Sequence, residues 1–504
     1  MQEIWSFSIL AFGSGLAALL TPCVFPMIPL TVSFFGNDKN PNKASGKYAG
    51  VKKAALYGFF IILIYVIAGT IVARINGPEF ANWLSTHWVP NVFFFLIFLV
   101  FAMSFLGMFE LTLPNKFINK IDGLSNKKSG WLGVFFMAFT LVLVSFSCTG
   151  PIVGSVLVLS AGGAVIKPIA GMFAFSLALA LPFTLFAAFP KWLEKLPKSG
   201  GWLQEVKAVL GFLELALALK FLSIADQVYH WGILDREIYL ALWIVIFSLL
   251  GFYLLGKLRL PHHTEKKETS VPKLLMATIV FSFVVYLIPG MFGAPLKALS
   301  GYLPPLTTQE FNLSLREGTN NQIVIGQNNS GKSKKTSLSS YDCPKPKYAE
   351  MLQLPHGLKG YFDLEQAKQC AKAQNKPIFI DFTGHGCVNC REMEARVWSD
   401  KRVLKILMNE YVVVALYVDE KTKLPEEDWY VSEYDGKTKK TIGKQNADYQ
   451  IRKFTNNAQP FYVLMDSKEK VLTKPKAYDL EANNFLDFLE KGIKEFSRKK
   501  ENIQ

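Results

Sequence analysis

Long apolar stretches alternate with short polar ones over the first 290 positions, and each stretch has the length a helix needs to cross a bilayer, about 18 residues or more. Eight such runs stand at roughly 4–35, 54–73, 89–108, 131–162, 168–189, 206–225, 238–255 and 274–290. They predict a polytopic α-helical membrane domain of about eight spans over residues 1–290. The pattern then changes. Residues 291–358 are rich in Asn, Ser, Gly, Lys and Pro with few apolar runs, and read as a polar, extended linker. From 359 to 504 the periods are those of a soluble α/β domain. An amphipathic helix places Leu364, Ala367, Cys370 and Ala371 on one face and leads to a buried-strand run from Ile378 to Phe382. Further strand-like runs follow at 411–418 and 461–465, a short hairpin near 471–478 and a closing helix at about 480–496, with 420–447 read as a polar insertion.

Composition agrees with a membrane-embedded chain. Half of the 504 residues are hydrophobic, only 19% are charged, and the mean hydropathy is +0.22. The net charge of +15 raises the question of nucleic acid, but before residue 341 there are 27 basic against 15 acidic residues and after it 28 against 25. The basic excess therefore sits in the apolar half, where membrane topology puts it, and nucleic acid is not an expected partner. Within that half, the loops 37–53, 109–130, 190–205 and 256–273 carry seventeen Lys or Arg, whereas the opposite loops carry three, Arg74, Lys167 and Arg236. By the positive-inside rule both termini, and everything after Gly290, face away from the cytoplasm. No Lys or Arg precedes Leu20 and no small-residue cleavage site follows it, so the first span is expected to remain uncleaved. Trp83, Trp88, Trp131, Trp202 and Trp231 lie at span edges, as interfacial anchors do.

Six cysteines are too few for a disulfide-scaffolded fold and each needs its own account. Cys387-Val388-Asn389-Cys390 follows a predicted strand and opens a predicted helix, Arg391 to Trp398. At a helix N-terminus the free N–H groups and the dipole stabilise a thiolate on the first cysteine, and the second can reach it to close a disulfide. A zinc site and a purely structural bridge are the competing readings; zinc wants four ligands, and no second C-x-x-C or close His pair accompanies His385. In the membrane half, Cys23-Val24-Phe25-Pro26 and Cys148-Thr149-Gly150-Pro151 repeat the pattern C-x-x-P, each in the middle of an unusually long apolar run. Either cysteine alone reads as a small apolar filler. The repeat changes that: Pro26 and Pro151 break helices in lipid, the two runs are the first and fourth spans and so antiparallel, and this is the signature of an inverted repeat of three spans with its site at the midplane. Cys370 reads as core and Cys343 as a linker cysteine, with a bridge between them as an open alternative. Residues 326–333 satisfy G-x-x-x-x-G-K-S, but the Ser- and Pro-rich sequence after them is no helix and could not hold a phosphate. His262 and His263 read as solvated.

The segment from Asp381 to Cys390, Asp-Phe-Thr-Gly-His-Gly-Cys-Val-Asn-Cys, resembles the active-site segment of a thioredoxin fold, and Gln459-Pro460-Phe461-Tyr462 resembles that fold's cis-proline loop. The resemblance implies that Cys387 is the exposed nucleophile and Cys390 the resolving thiol. It also implies that Pro460, in cis, presents backbone to a partner strand, and that Asp381 helps deprotonate the resolving cysteine. Glu394, one turn after Cys390, is a second candidate carboxylate, with a solvated helix charge as its alternative. Together the two halves resemble the DsbD family of membrane protein-disulfide reductases, whose transmembrane part is similar to the CcdA family. That resemblance implies a relay in a bacterial cytoplasmic membrane. Cytoplasmic thioredoxin reduces the Cys23/Cys148 pair, which reduces Cys387/Cys390 in a periplasmic thioredoxin-like domain, and this passes electrons to disulfide-bonded proteins, cytochrome c maturation among their uses. The relay calls for no metal, flavin or quinone, and membrane lipid is an expected partner. Full-length family members carry an N-terminal immunoglobulin-like redox domain, whereas this sequence opens on the first span, so Cys387 or a separate protein is expected to serve the final substrates. A membrane transporter with a tethered redox sensor is the alternative.

Overall fold

The computed structural model describes residues 2–19, 48–75, 85–109, 133–139, 141–142, 166–188, 201–260, 270–309, 311 and 343–501. Cys23, Pro26, Cys148, Pro151 and the G-x-x-x-x-G-K-S stretch lie outside them. The chain divides into two compact units, one of Met1–Leu219 with Leu249–Ala277, the other of Lys220–Ser248 with Thr278–Gln504.

The described residues of the first half of the chain are helical apart from short turns at helix ends. The helices are α1 (Gln2–Ala18), α2 (Tyr48–Ile75), α3 (Trp88–Phe105), α4 (Ile166–Ala188), α5 (Gly201–Tyr229), α6 (Arg236–Leu254) and α7 (Val271–Leu287). Five stretches among the described residues are long and apolar enough to cross a membrane: Val51–Thr70, Trp88–Phe105, Gln204–Tyr229, Arg236–Leu254 and Val271–Phe292. Phe7–Ala18 and Ile169–Leu185 are shorter apolar helices, and of the expected fourth span only 133–139 and 141–142 are described. In the first unit α4 packs along both α1 and α2 around Tyr57, Ile61, Tyr65, Phe175, Leu179 and Phe183. These helices are apolar all round, so outward residues such as Trp5, Phe59, Phe93 and Leu181 remain exposed, as a lipid-facing surface requires.

The second unit holds the α/β domain. Its elements are β1 (Gly360–Tyr361), α8 (Leu364–Gln374), β2 (Ile378–Thr383), α9 (Val388–Met393), α10 (Lys401–Glu410), β3 (Val412–Tyr417), β4 (Tyr430–Val431), β5 (Thr438–Lys439), α11 (Ile442–Phe454), β6 (Phe461–Met465) and α12 (Ala482–Glu501). Side-chain caps start the helices: Asp363 accepts from the Gln366 amide, Asp400 from that of Arg402 and Thr441 from that of Lys444. The four-stranded sheet runs β1-β3-β2-β6, with β3 parallel to β1 and β2, and β6 antiparallel to β2. Strand alternation divides β2 between two cores. Ile378, Ile380 and Phe382 pack with Val414, Val463 and Cys370, while Phe379 packs on the other face with Trp398, Tyr462 and Phe485. Asp381 shares the face of Phe379, and that places a carboxylate beneath α9. Each of these large apolar side chains contributes roughly 2 kcal/mol by leaving water.

Much of what reads as an extended linker is packed. Leu352, Leu354 and Leu358 are buried in the Phe379 core. Between 288 and 309 the chain folds onto the start of α6, where the buried Arg236 donates to the carbonyls of Pro304 (2.5 Å) and Ala294 (3.3 Å). A buried guanidinium requires such acceptors, and the linker backbone supplies them. Cys343 and Cys370 are joined in a disulfide, the outcome left open by the sequence, and it ties the strand of chain before β1 to α8. The 420–447 insertion forms the β4–β5 hairpin and the start of α11, a helix not anticipated from the sequence.

Candidate active site

β2 and β3 are parallel neighbours, so the loops leaving their C-terminal ends meet. Cys387 is the N-cap of α9, with φ −78° and ψ 101°, and its Sγ accepts the Cys390 amide at 3.1 Å. The two cysteines are joined in a disulfide, Cys387 partly exposed and Cys390 buried. After Met393 the helix widens into a π-turn, Glu394–Trp398. Pro460 is buried at the head of β6, and the Gln459–Pro460 bond is cis, as the resemblance implies. Gly301 lies so close to Val388 that a β-carbon there would come within 2.6 Å of Val388 Cγ1.

Beneath the disulfide lies a buried charged cluster. Asp381 and Glu394 are 3% and 8% exposed, and Arg391, at 6%, pairs with Glu394 at 2.9 Å. Glu394 is therefore no solvated helix charge. Burial pushes the Asp381 carboxyl well above the usual carboxylate range, the Glu394 charge adds to this and Arg391 opposes it. Burial raises Glu394 too, against the pull of Arg391. Among the described residues neither Asp381 Oδ1 nor Arg391 Nε has a hydrogen-bond partner. A carboxyl whose titration is raised toward that of a thiol is suited to exchange a proton with one.

Four residues that sequence reasoning missed hold the loop before Cys387. Asp419, just past β3, accepts the amides of His385 (Oδ1, 2.9 Å) and Gly386 (Oδ2, 3.1 Å). Its neighbour across the loop has to be glycine, because a β-carbon on Gly384 would stand 2.9 Å from Asp419 Oδ2. Glu420 is buried, and its Oε2 meets His385 Nε2 at 2.8 Å and His230 Nε2 at 3.0 Å. Burial would raise the Glu420 carboxyl, but hydrogen bonds from His230 and His385 hold it far below its ordinary range. Tyr417 stacks on the His385 ring at 4.5 Å between centroids. A cavity of about 200 Å³ opens beside these groups, lined by Asp226, His230, His385, Arg391 and Tyr417. The only sequence signal for Asp419 and Glu420 was two acids directly after a buried strand parallel to the strand bearing the C-x-x-C motif.

Comparison with known proteins bears on both halves. Residues 4–225 match the family model of the cytochrome C biogenesis protein transmembrane domain, and residues 359–467 match a thioredoxin-like family model. Three relatives carry the name thiol:disulfide interchange protein DsbD. That of Campylobacter jejuni strain RM1221 is 27% identical over 422 residues, 81% of this chain and 61% of the relative. That of Pseudoalteromonas atlantica is 27% identical over 414 residues, 81% of this chain and 58% of the relative. That of Actinobacillus pleuropneumoniae reaches 34% over 233 residues, 44% of this chain and 37% of the relative. The chain thus spans about three fifths of the length of the first two. A solved structure, DsbH Oxidoreductase, is similar at 16% identity and a TM-score of 0.22, covering 32% of this chain and 95% of that one. The alignments with the first two relatives take in about four fifths of this sequence, so the chain is similar over both its apolar and its thioredoxin-like halves to proteins named thiol:disulfide interchange protein DsbD.

Proposed function

We propose that the protein is a thiol-disulfide oxidoreductase that carries reducing equivalents across a bacterial cytoplasmic membrane. In this reading cytoplasmic thioredoxin opens a Cys23–Cys148 disulfide, and the resulting dithiol reduces Cys387–Cys390. The thioredoxin-like domain then reduces disulfide-bonded proteins on the outer side, cytochrome c maturation among the uses. Each step is attack by a thiolate on a disulfide sulfur through a mixed disulfide, two electrons passing and one dithiol becoming a disulfide each time.

The observation that carries the reading is the Cys387–Cys390 disulfide, with its partly exposed first sulfur capping a helix beside two buried carboxyls, on a chain whose residues 4–225 match the cytochrome C biogenesis protein transmembrane domain. Cys387 is the nucleophile: its sulfur already accepts the Cys390 amide, an interaction that favours the thiolate. Cys390, buried, is the resolving thiol, and Asp381 with Glu394 takes up or supplies its proton. Pro460 offers backbone to the incoming partner. The outer placement of the thioredoxin-like domain is supported by charge, since the lysine-poor loop between α5 and α6 supplies His230, which bonds Glu420 of that domain.

The test is the in-cell redox state of Cys387 and Cys390 by thiol-alkylation gel shift. The pair is expected to be reduced in wild type and oxidised both in Cys23→Ala and in cells depleted of cytoplasmic thioredoxin. A pair that stays reduced in both draws its electrons elsewhere and removes the relay.

A further inference from the structure

We propose that His230, His385 and Glu420 form a binding site for a divalent transition metal of the zinc type. Three ligand atoms from three separated segments converge: Glu420 Oε2 lies 2.8 Å from His385 Nε2 and 3.0 Å from His230 Nε2, and each residue brings a ligand atom within 4.8 Å of the other two. Two imidazoles and one carboxylate are the donor set that borderline metals favour, and zinc bound by three protein ligands keeps a fourth position for water or an outside ligand. That position has room here, because both histidines line the cavity beside the site.

The surroundings hold the donors in place. Glu420 Oε1 accepts the Thr422 amide (2.9 Å) and the Thr422 hydroxyl (2.8 Å), which fixes the carboxylate and leaves Oε2 facing the imidazoles. Tyr417 stacks on His385, and Asp419 holds the His385 amide. His230 stands just past the end of α5 in the left-handed region, φ 52°, where glycine or asparagine is the usual occupant. Asp226 holds the turn after it by accepting the amides of Ile233 (2.8 Å) and Leu234 (3.1 Å). A strained histidine aimed at another histidine and a buried carboxylate is better explained by a ligand than by capping, which a glycine does at lower cost. Outer contacts of this kind are what orient metal ligands. A bound ion would tie the loop two residues before Cys387 to the turn between α5 and α6.

The site lies outside the thiol relay, and its test does not depend on that relay. The full-length protein is purified in detergent with its disulfides intact and any free thiols alkylated, so that cysteine sulfur cannot bind metal. It is titrated with Zn²⁺ against a chromophoric chelator, and with Co²⁺ followed by its visible absorption. Wild type is expected to take one equivalent of Zn²⁺ and to give a Co²⁺ spectrum of low-symmetry nitrogen and oxygen ligation. His385→Ala and Glu420→Gln are expected to weaken binding at least 10-fold. His230→Asn, which suits the left-handed backbone, guards against loss by misfolding and is expected to do the same. No bound equivalent in wild type, or equal binding by wild type and His230→Asn, overturns the site.

Discussion

Asp419 commits both carboxylate oxygens to the amides of His385 and Gly386, so its removal strips two donors of their acceptor next to the reactive sulfur. Asp419→Ala is expected to cost about 1–3 kcal/mol locally. The readout is hydrogen exchange, with the peptide containing 384–387 exchanging roughly 10-fold or more faster than in wild type. Asp381 makes a prediction of the opposite sign for stability. Its carboxyl titrates well above the usual range when folded, so the neutral form favours the fold. That contribution is whole below the unfolded carboxyl's titration near about pH 4 and is lost as pH rises through the higher folded value. Asp381→Asn should therefore unfold at higher denaturant than wild type at pH 8, with the difference closing toward pH 4. In the proposed relay the same substitution should slow reduction of a disulfide substrate by about 100-fold or more, since an amide cannot exchange a proton with Cys390. Equal rates in the two proteins would make Asp381 a structural carboxyl only.

At the scale of elements, the Cys343–Cys370 disulfide closes a loop of 27 residues over the start of the α/β domain. Cys343→Ser with Cys370→Ser is expected to lose about 3 kcal/mol of that domain's stability, and a strong reductant should bring wild type down to the same level. Thermal unfolding of the purified protein with and without reductant checks both. Elements with strong local patterns were legible in the sequence: β2, β3 and β6 as apolar runs, α8 from Leu364, Ala367, Cys370 and Ala371, and α12 from its closing amphipathic stripe. α11 was missed because its inward residues are Ile442, Gly443, Asp448 and Gln450, half of them polar, so no apolar stripe marks it. Its cap, Thr441, lies within what read as a polar insertion. The packed part of the linker was missed for a related reason: Leu352, Leu354 and Leu358 are scattered among polar residues and acquire meaning only against Phe379 and Trp398.

For the whole molecule, local spacing revealed chemistry and long-range pairing did not. Cys387 and Cys390 stand three apart and announce themselves. Asp419 meets His385 across 34 residues through the parallel register of β2 with β3, and His230 meets Glu420 across 190, a pairing no periodicity encodes. Topology can be checked directly. A single cysteine placed in 37–53 or 109–130 of a background with its native cysteines replaced should be shielded from an impermeant maleimide in intact cells, whereas one near 434 should react. Labelling of the loop sites with shielding of the one near 434 would reverse the sidedness. The disulfide between Cys343 and Cys370 also sets how the protein must be made. A domain proposed to spend its life accepting electrons carries, on the far side of its sheet, a bond those electrons must not reach. That bond has to be installed by an oxidant before the reductase is complete. In the proposed relay, the supply of reducing power outside the membrane then leans on the opposing, disulfide-forming machinery, and a protein made without it would lack this bond's share of the domain's stability.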